Sequence, residues 1–317
     1  TMVEADSATY TVKLASQPTD VVTVTVGGMG SGVSVDTDGG MPEEQTTLSF
    51  TTSNWDTAQP VTVKAAADDN TSLEEVKLSH TASGGDYSSV SQELVVTVIN
   101  NLCEREGGFS NSPRKTSCDL SEKGITSLKS DDFAGLPNLV YLQLNSNQLS
   151  SLPDGIFDGL SSLQLLSLNK NQFSSLPEDL FAGLSQLRNL YLNNNQISSL
   201  SKEVFDGLSR LSYLYLHNNQ ISSLPADLFA GLTRYLDNVN LSENKLTSLP
   251  EDLFAGLTIR TLNLSENKLS SLPEEVFAGL RNLRTLNLSK NQLSSLPEEV
   301  FADLSRLETL ALAKNSL

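Results

Sequence analysis

Eight phenylalanines, Phe133, Phe157, Phe181, Phe205, Phe229, Phe254, Phe277 and Phe301, recur at steps of 24, 24, 24, 24, 25, 23 and 24 residues. Eight asparagines, Asn147, Asn171, Asn195, Asn219, Asn244, Asn267, Asn291 and Asn315, follow the same interval. Between them runs L-x-x-L-x-L-x-x-N-x-L-x-x-L-P-x-x-x-F-x-x-L, as from Leu187 to Leu208, where Ser201 takes the proline's place. A fixed period in the twenties is the signature of a solenoid, in which each unit buries its apolar face only by stacking on its neighbours.

Each position of the unit has a physical task. In L-x-L the leucines point inward and the residues between and beside them point outward. Successive strands stack in parallel about 4.8 Å apart, so nine of them predict a sheet roughly 40 Å long. After each strand the chain turns and leaves backbone groups without strand partners. A buried Asn satisfies such groups with both its carbonyl and its amide, which accounts for the asparagine series. The phenylalanine fills the wide side of the wedge. Proline followed by acids, as in Pro177-Glu178-Asp179, Pro273-Glu274-Glu275 and Pro297-Glu298-Glu299, reads as the start of a short helical or 3-10 segment on the convex side. One extra residue near Thr233-Arg234-Tyr235 and one missing near Thr258-Ile259 predict a local bump with the strand register kept.

The repeats resemble the 24-residue typical class of extracellular leucine-rich-repeat proteins, and most of all the ectodomains of Toll-like receptors and the variable lymphocyte receptors of jawless fish. That resemblance implies a parallel concave sheet and an extracellular module that grips a ligand. The run Cys118-Asp119-Leu120-Ser121-Glu122-Lys123-Gly124-Ile125 resembles the end of the cysteine-capped module that precedes such repeats. Cys103 and Cys118 are the only cysteines. The resemblance implies a disulfide between them, although the family cap usually carries four cysteines; two unpaired thiols are the alternative. An oxidised pair would place the protein outside the cell or on its surface. We expect residues 102–128 to form this cap and first strand, and 129–317 about eight repeats. The repeats run to Leu317 without a closing cap, which reads as a fragment of something longer.

Residues 1–101 are of another kind. Tyr10-Thr11-Val12-Lys13-Leu14, Val21-Val22-Thr23-Val24-Thr25-Val26, Leu48-Ser49-Phe50, Val61-Thr62-Val63, Val76-Lys77-Leu78 and Leu94-Val95-Val96-Thr97-Val98 alternate as strands do, and turn-forming residues separate them. Their number and spacing predict an all-β sandwich. Their order resembles a Calx-β or related immunoglobulin-like module. Glu4, Asp68, Asp69, Glu74 and Glu75 are candidate calcium ligands, because hard oxygens clustered at one end of a sandwich suit that ion. Solvated loop acids are the alternative, and Ile99-Asn100-Asn101 stands where such modules often carry acidic ligands.

Charge bears on partners. Residues 1–101 hold 3 basic and 14 acidic side chains, the remainder 18 and 24, and the whole chain is −17. No basic stripe or arginine-rich groove is evident along the chain, so a nucleic-acid partner is not expected. No run of about 18 apolar residues predicts a membrane span. An enzyme is not expected either. His80 and His217 lie in different domains, and no nucleophile elbow, phosphate-binding loop or H-E-x-x-H sequence is present.

Binding then falls to the outward columns of the sheet. Later repeats carry a uniform Thr/Asn/Ser pattern, whereas the middle repeats carry aromatics. Tyr213 and Tyr215 lie two apart on one strand, and Tyr191 is the neighbour of Tyr215 on the next. Asn189, Asn193 and His217 border them, and Tyr141 with Leu165 extends the patch toward the cap. Rigid aromatics among amides suit recognition of a protein or glycan on a cell surface. The alternatives are that tyrosine simply suits strands, and that the rod is a structural spacer with no specific ligand.

Overall fold

A computed structural model describes every residue except 1, 4–6, 31, 39–44, 66–73, 89, 100, 110–114 and 233. Its contacts divide the chain into two compact units, Thr1–Asn101 and Leu102–Leu317.

The first unit is built from β1 (Met2–Val3), β2 (Ser7–Val12), β3 (Val22–Gly27), β4 (Val33–Asp36), β5 (Thr47–Phe50), β6 (Gln59–Ala65), β7 (Glu74–Ser83) and β8 (Ser91–Ile99). Alternation sets which face is covered: Val22, Val24 and Val26 of β3 are buried, while Thr25 between them is exposed. The strands form two sheets, ordered β1-β8-β7-β3-β5 and β2-β6-β4, and all pairs are antiparallel except β1 with β8. Val24, Phe50 and Leu78 from one sheet and Val35, Val61 and Val63 from the other share one apolar core.

The second unit opens with a four-residue helix, α1 (Leu102–Arg105), followed by β9 (Ser117–Asp119). A disulfide joins Cys103 of α1 to Cys118 of β9. Space for it comes from Gly108, since a Cβ there would sit 2.9 Å from the Cys118 sulfur. Arg105 pairs with the nearly buried carboxylate of Asp132 at 3.1 Å, whose other oxygen accepts the Lys129 amide.

Eight short strands follow: β10 (Tyr141–Gln143), β11 (Leu165–Ser167), β12 (Asn189–Tyr191), β13 (Tyr213–Tyr215), β14 (Asn238–Asn240), β15 (Thr261–Asn263), β16 (Thr285–Asn287) and β17 (Thr309–Ala311). With β9 they make one nine-stranded parallel sheet in chain order. The central residues, from Leu142 through Leu286, are fully buried, whereas Leu310 of the last strand is 39% exposed. Burial of each leucine therefore depends on the repeat that follows it. Register holds through the irregular turns: Tyr213 stands beside Asn238, and Asn238 beside Thr261.

The asparagines make the bonds their chemistry allows. The Asn219 carbonyl accepts the Ile197 amide at 3.0 Å, and its amide donates to the Leu192 and Leu216 carbonyls, each at 3.0 Å. The same pattern repeats from Asn147 to Asn315. Each Asn thus ties its own repeat to the one before. Leaving any of these buried groups unpaired would cost roughly 1–3 kcal/mol. Opposite the sheet, the phenylalanines form a spine, with rings from Phe181 to Phe301 stacked at 6.0–6.4 Å.

The convex segments correct one expectation. Where the sequence predicts short helices, the described residues hold isolated turns. In the Pro177 segment the i→i+3 bonds run Leu180 to Pro177, Ala182 to Asp179 and Leu184 to Phe181, skipping alternate residues. A helix needs consecutive bonds of this kind, and the segment spends its residues on delivering Leu180, Phe181 and Leu184 to the core instead.

Candidate functional site on the sheet face

Strand pairing places the predicted residues next to each other. Asn189 of β12 stands beside Tyr213 of β13, and Tyr191 beside Tyr215. The Tyr191 and Tyr215 rings stack almost parallel, with centroids 5.0 Å apart and planes 5° from coincidence. His217 meets the Tyr215 ring edge-on at 6.1 Å. Tyr213 remains 38% exposed and Tyr141, on β10, 45%. The result is a rigid aromatic surface whose exposed area needs little ordering on contact. Burial pushes the Tyr215 hydroxyl above the usual tyrosine range, and the neighbouring Tyr191 and Tyr213 add to the effect. Burial holds the His217 imidazole below its ordinary pKa, against a smaller opposing pull from Glu243. The buried Nδ1 of His217 has no hydrogen-bond partner among the described residues.

Two of the expected residues sit differently from the rest. Asn193 is only 8% exposed, so it adds little surface to the patch. Leu165 pairs with both Tyr141 and Asn189, so it joins the two parts of the patch without being fully exposed.

The later repeats differ in kind. The Asn240 side-chain carbonyl accepts both the amide and the hydroxyl of Ser242, at 3.1 and 2.8 Å. Asn263 with Ser265, and Asn287 with Ser289, repeat the arrangement. In these repeats the asparagine carbonyl is thus engaged within its own repeat, whereas the middle repeats present aromatic rings on the same face.

The flank beside the strands corrects the sequence reading on charge. Arg188, Arg210, Arg234, Arg260, Arg284 and Arg306 fall in the approaches to six consecutive strands, β12 to β17, and line two neighbouring hollows. An arginine-rich groove is therefore present. Arg260 pairs with Asp237 at 3.4 Å and Arg284 with Glu308 at 2.9 Å. Arg210 donates to the Gln186 side-chain carbonyl at 2.7 Å, and Arg234 lies 5.6 Å over the Tyr235 ring.

Of the candidate calcium ligands, Glu4, Asp68 and Asp69 and the side chain of Glu74 lie outside the described residues, and Glu75 is exposed. Among the described residues no three His, Cys, Asp or Glu are grouped to hold a metal ion. His80 of β7 instead bonds the Tyr10 hydroxyl of β2 through Nε2 at 2.5 Å, linking the two sheets of the first unit. Burial raises the Tyr10 pKa to about 12. No helix among the described residues is long and apolar enough to cross a membrane.

Six overlapping stretches, 138–197, 161–221, 185–237, 210–269, 234–293 and 258–317, match the family model described as Leucine rich repeat. Together they cover more than half of the chain. Among solved structures, Toll from the Drosophila Toll–Spatzle complex is 34% identical with a TM-score of 0.59, over 62% of this chain and 26% of that one. The repeat protein FLRT2, in a complex with latrophilin 3 and Unc5D, is 32% identical with a TM-score of 0.54, over 61% and 59%. TLR13 in its complex with ssRNA13 is 34% identical with a TM-score of 0.59, over 62% and 28%. This chain thus spans about a quarter of Toll and TLR13 and under two thirds of FLRT2. No curated protein sequence matches it.

Proposed function

The chain belongs to the leucine-rich-repeat family, and from that premise we propose that it is an extracellular recognition module that grips a macromolecular ligand on the concave face of its repeats. The observation that carries this reading is the stacked Tyr191–Tyr215 pair, edged by His217 and Tyr213, on a face whose later repeats carry small polar side chains. Half-buried aromatics held rigid by stacking, with an exposed tyrosine beside them, are the kind of anchor that interfaces use. Tyr141, Leu165 and Asn189 extend the surface toward the cap, and the buried Asn193 borders it.

The relatives favour binding over chemistry: Toll is solved with Spatzle, FLRT2 with latrophilin 3 and Unc5D, TLR13 with RNA. The RNA complex of TLR13 removes the fold as a ground for excluding nucleic acid. What weighs against it here is the net charge of −17, which repels phosphate. We therefore favour a protein or glycan on a cell surface, and no catalytic role. The disulfide supports a secreted or surface setting. We read the first unit as a Calx-β or immunoglobulin-like sandwich, on the strength of its two sheets around one core. A spacer without a specific ligand is the second reading, favoured by the uniform polar repeats from Asn240 onward.

The test is a binding screen over glycans and cell surfaces with the intact chain and its Tyr191→Ala/Tyr215→Ala variant, melting behaviour being matched. Saturable binding lost in the variant is the expected result. A screen in which no ligand is lost in the variant, or none binds either protein, would sink the concave-face reading; one hit retained beside another lost would not.

A further inference from the structure

We propose that the flank hollow between β12 and β13 is a second binding site, which takes the carboxylate end of an acidic sugar. The hollow is about 370 Å³ and is lined by Arg188, Asn189, Arg210, Ser212, Tyr213 and Tyr235. Two guanidinium groups share it and no acid lines it, in a chain that carries 38 acidic residues against 21 basic ones. Acids are available on this same flank, because Asp237 and Glu308 engage Arg260 and Arg284 further along. At Arg188 and Arg210 they are absent from the lining, so an anion entering the hollow would meet two guanidinium groups and no carboxylate. A guanidinium fork matches a carboxylate with two parallel hydrogen bonds. The Gln186 side-chain carbonyl, by accepting from Arg210, fixes one of these forks in place.

The remaining lining favours a sugar as the bearer of that carboxylate. Tyr213 and Tyr235 are 38% and 50% exposed and supply aromatic surface for the C–H face of a ring. The Asn189 amide and Ser212 hydroxyl can each donate and accept, as ring hydroxyls require. A peptide that added itself as a strand would need free backbone groups. Here the Ser212 and Tyr213 amides both bond the Arg188 carbonyl at 2.9 Å, while the Arg188 and Asn189 amides both bond the Gln164 carbonyl. A long polyanion running down the flank would meet the carboxylates of Asp237 and Glu308. The chemistry thus points to one acidic sugar residue at a chain end.

The site shares Asn189 and Tyr213 with the concave patch but does not depend on the stacked tyrosines, so its test uses Arg188 and Arg210. Sialyllactose, neutral lactose and a hexaglutamate peptide would be titrated into the full chain by calorimetry. We expect saturable, salt-sensitive binding of sialyllactose and none of lactose. The Arg188→Gln/Arg210→Gln variant, with melting unchanged, should bind about tenfold or more weakly, the loss expected for one charge-assisted hydrogen bond. Arg188→Lys keeps the charge and loses the fork, and should weaken binding as well. The Tyr191→Ala/Tyr215→Ala variant should bind sialyllactose as the parent does, whatever becomes of the concave ligand. No saturable binding of sialyllactose, equal binding of hexaglutamate or lactose, or binding untouched in the double arginine variant would each overturn the proposal.

Discussion

At the scale of single residues, His217 joins sequence to behaviour most directly. Its ring packs on Tyr215 and its Nδ1 is buried without a partner among the described residues, so protonation is opposed in the folded state. Because the folded pKa lies below the unfolded one, the unfolded chain binds the proton more readily in the window between the two. Stability from this site is therefore complete above the ordinary histidine value and lost as pH falls through the folded one. Melting curves taken from pH 8 down to 5 should show the parent losing stability below about 6.5, and His217→Gln losing less. Parallel curves for the two proteins would remove the idea. The patch around His217 is legible in the sequence, because a period of 24 residues converts distance along the chain into adjacency: Tyr191 and Tyr215 have to be neighbours once the register is known. The burial of Asn193 is not legible there, because side-chain depth on the outward face depends on packing that the repeat pattern does not specify.

At the scale of elements, the period announces strand, asparagine turn and phenylalanine spine, since each answers a fixed physical demand. The convex segments escape it for a definite reason. Proline and acids mark the start of a helical turn equally well whether one turn follows or several, and the alternate bonding after Pro177 is decided by core packing. The arginine flank escapes it for another. Its members lie 22 to 26 residues apart, and isolated cations in an acidic sequence look like solvated side chains. The cap is a separate element with its own prediction. Its disulfide closes a separation of 15 residues, worth about 3 kcal/mol in chain entropy. In Cys103→Ala/Cys118→Ala, amide exchange should therefore speed up in β9 and β10 and stay slow in β14 to β16. Uniform acceleration along the sheet would show instead that the repeats unfold as one body.

At the scale of the whole molecule, the bonds between repeats are local. Each asparagine reaches only its own repeat and the preceding one, and each phenylalanine stacks only on adjacent rings. Stability of such an array is close to a sum over neighbours. Removing residues 263–286, which joins Leu262 directly to Asn287, should therefore leave a folded protein with one strand fewer. Circular dichroism should keep the parent's shape, with a somewhat lower melting midpoint, and the hollow at Arg188 should be unchanged. Collapse of the fold would show coupling beyond nearest neighbours. The asparagine ladder also bears on inheritance. A slip of the copying machinery that drops or doubles one 24-residue unit among the later repeats should therefore yield a folded product, so the number of repeats can change between generations while the surfaces on β12 and β13 are passed on intact.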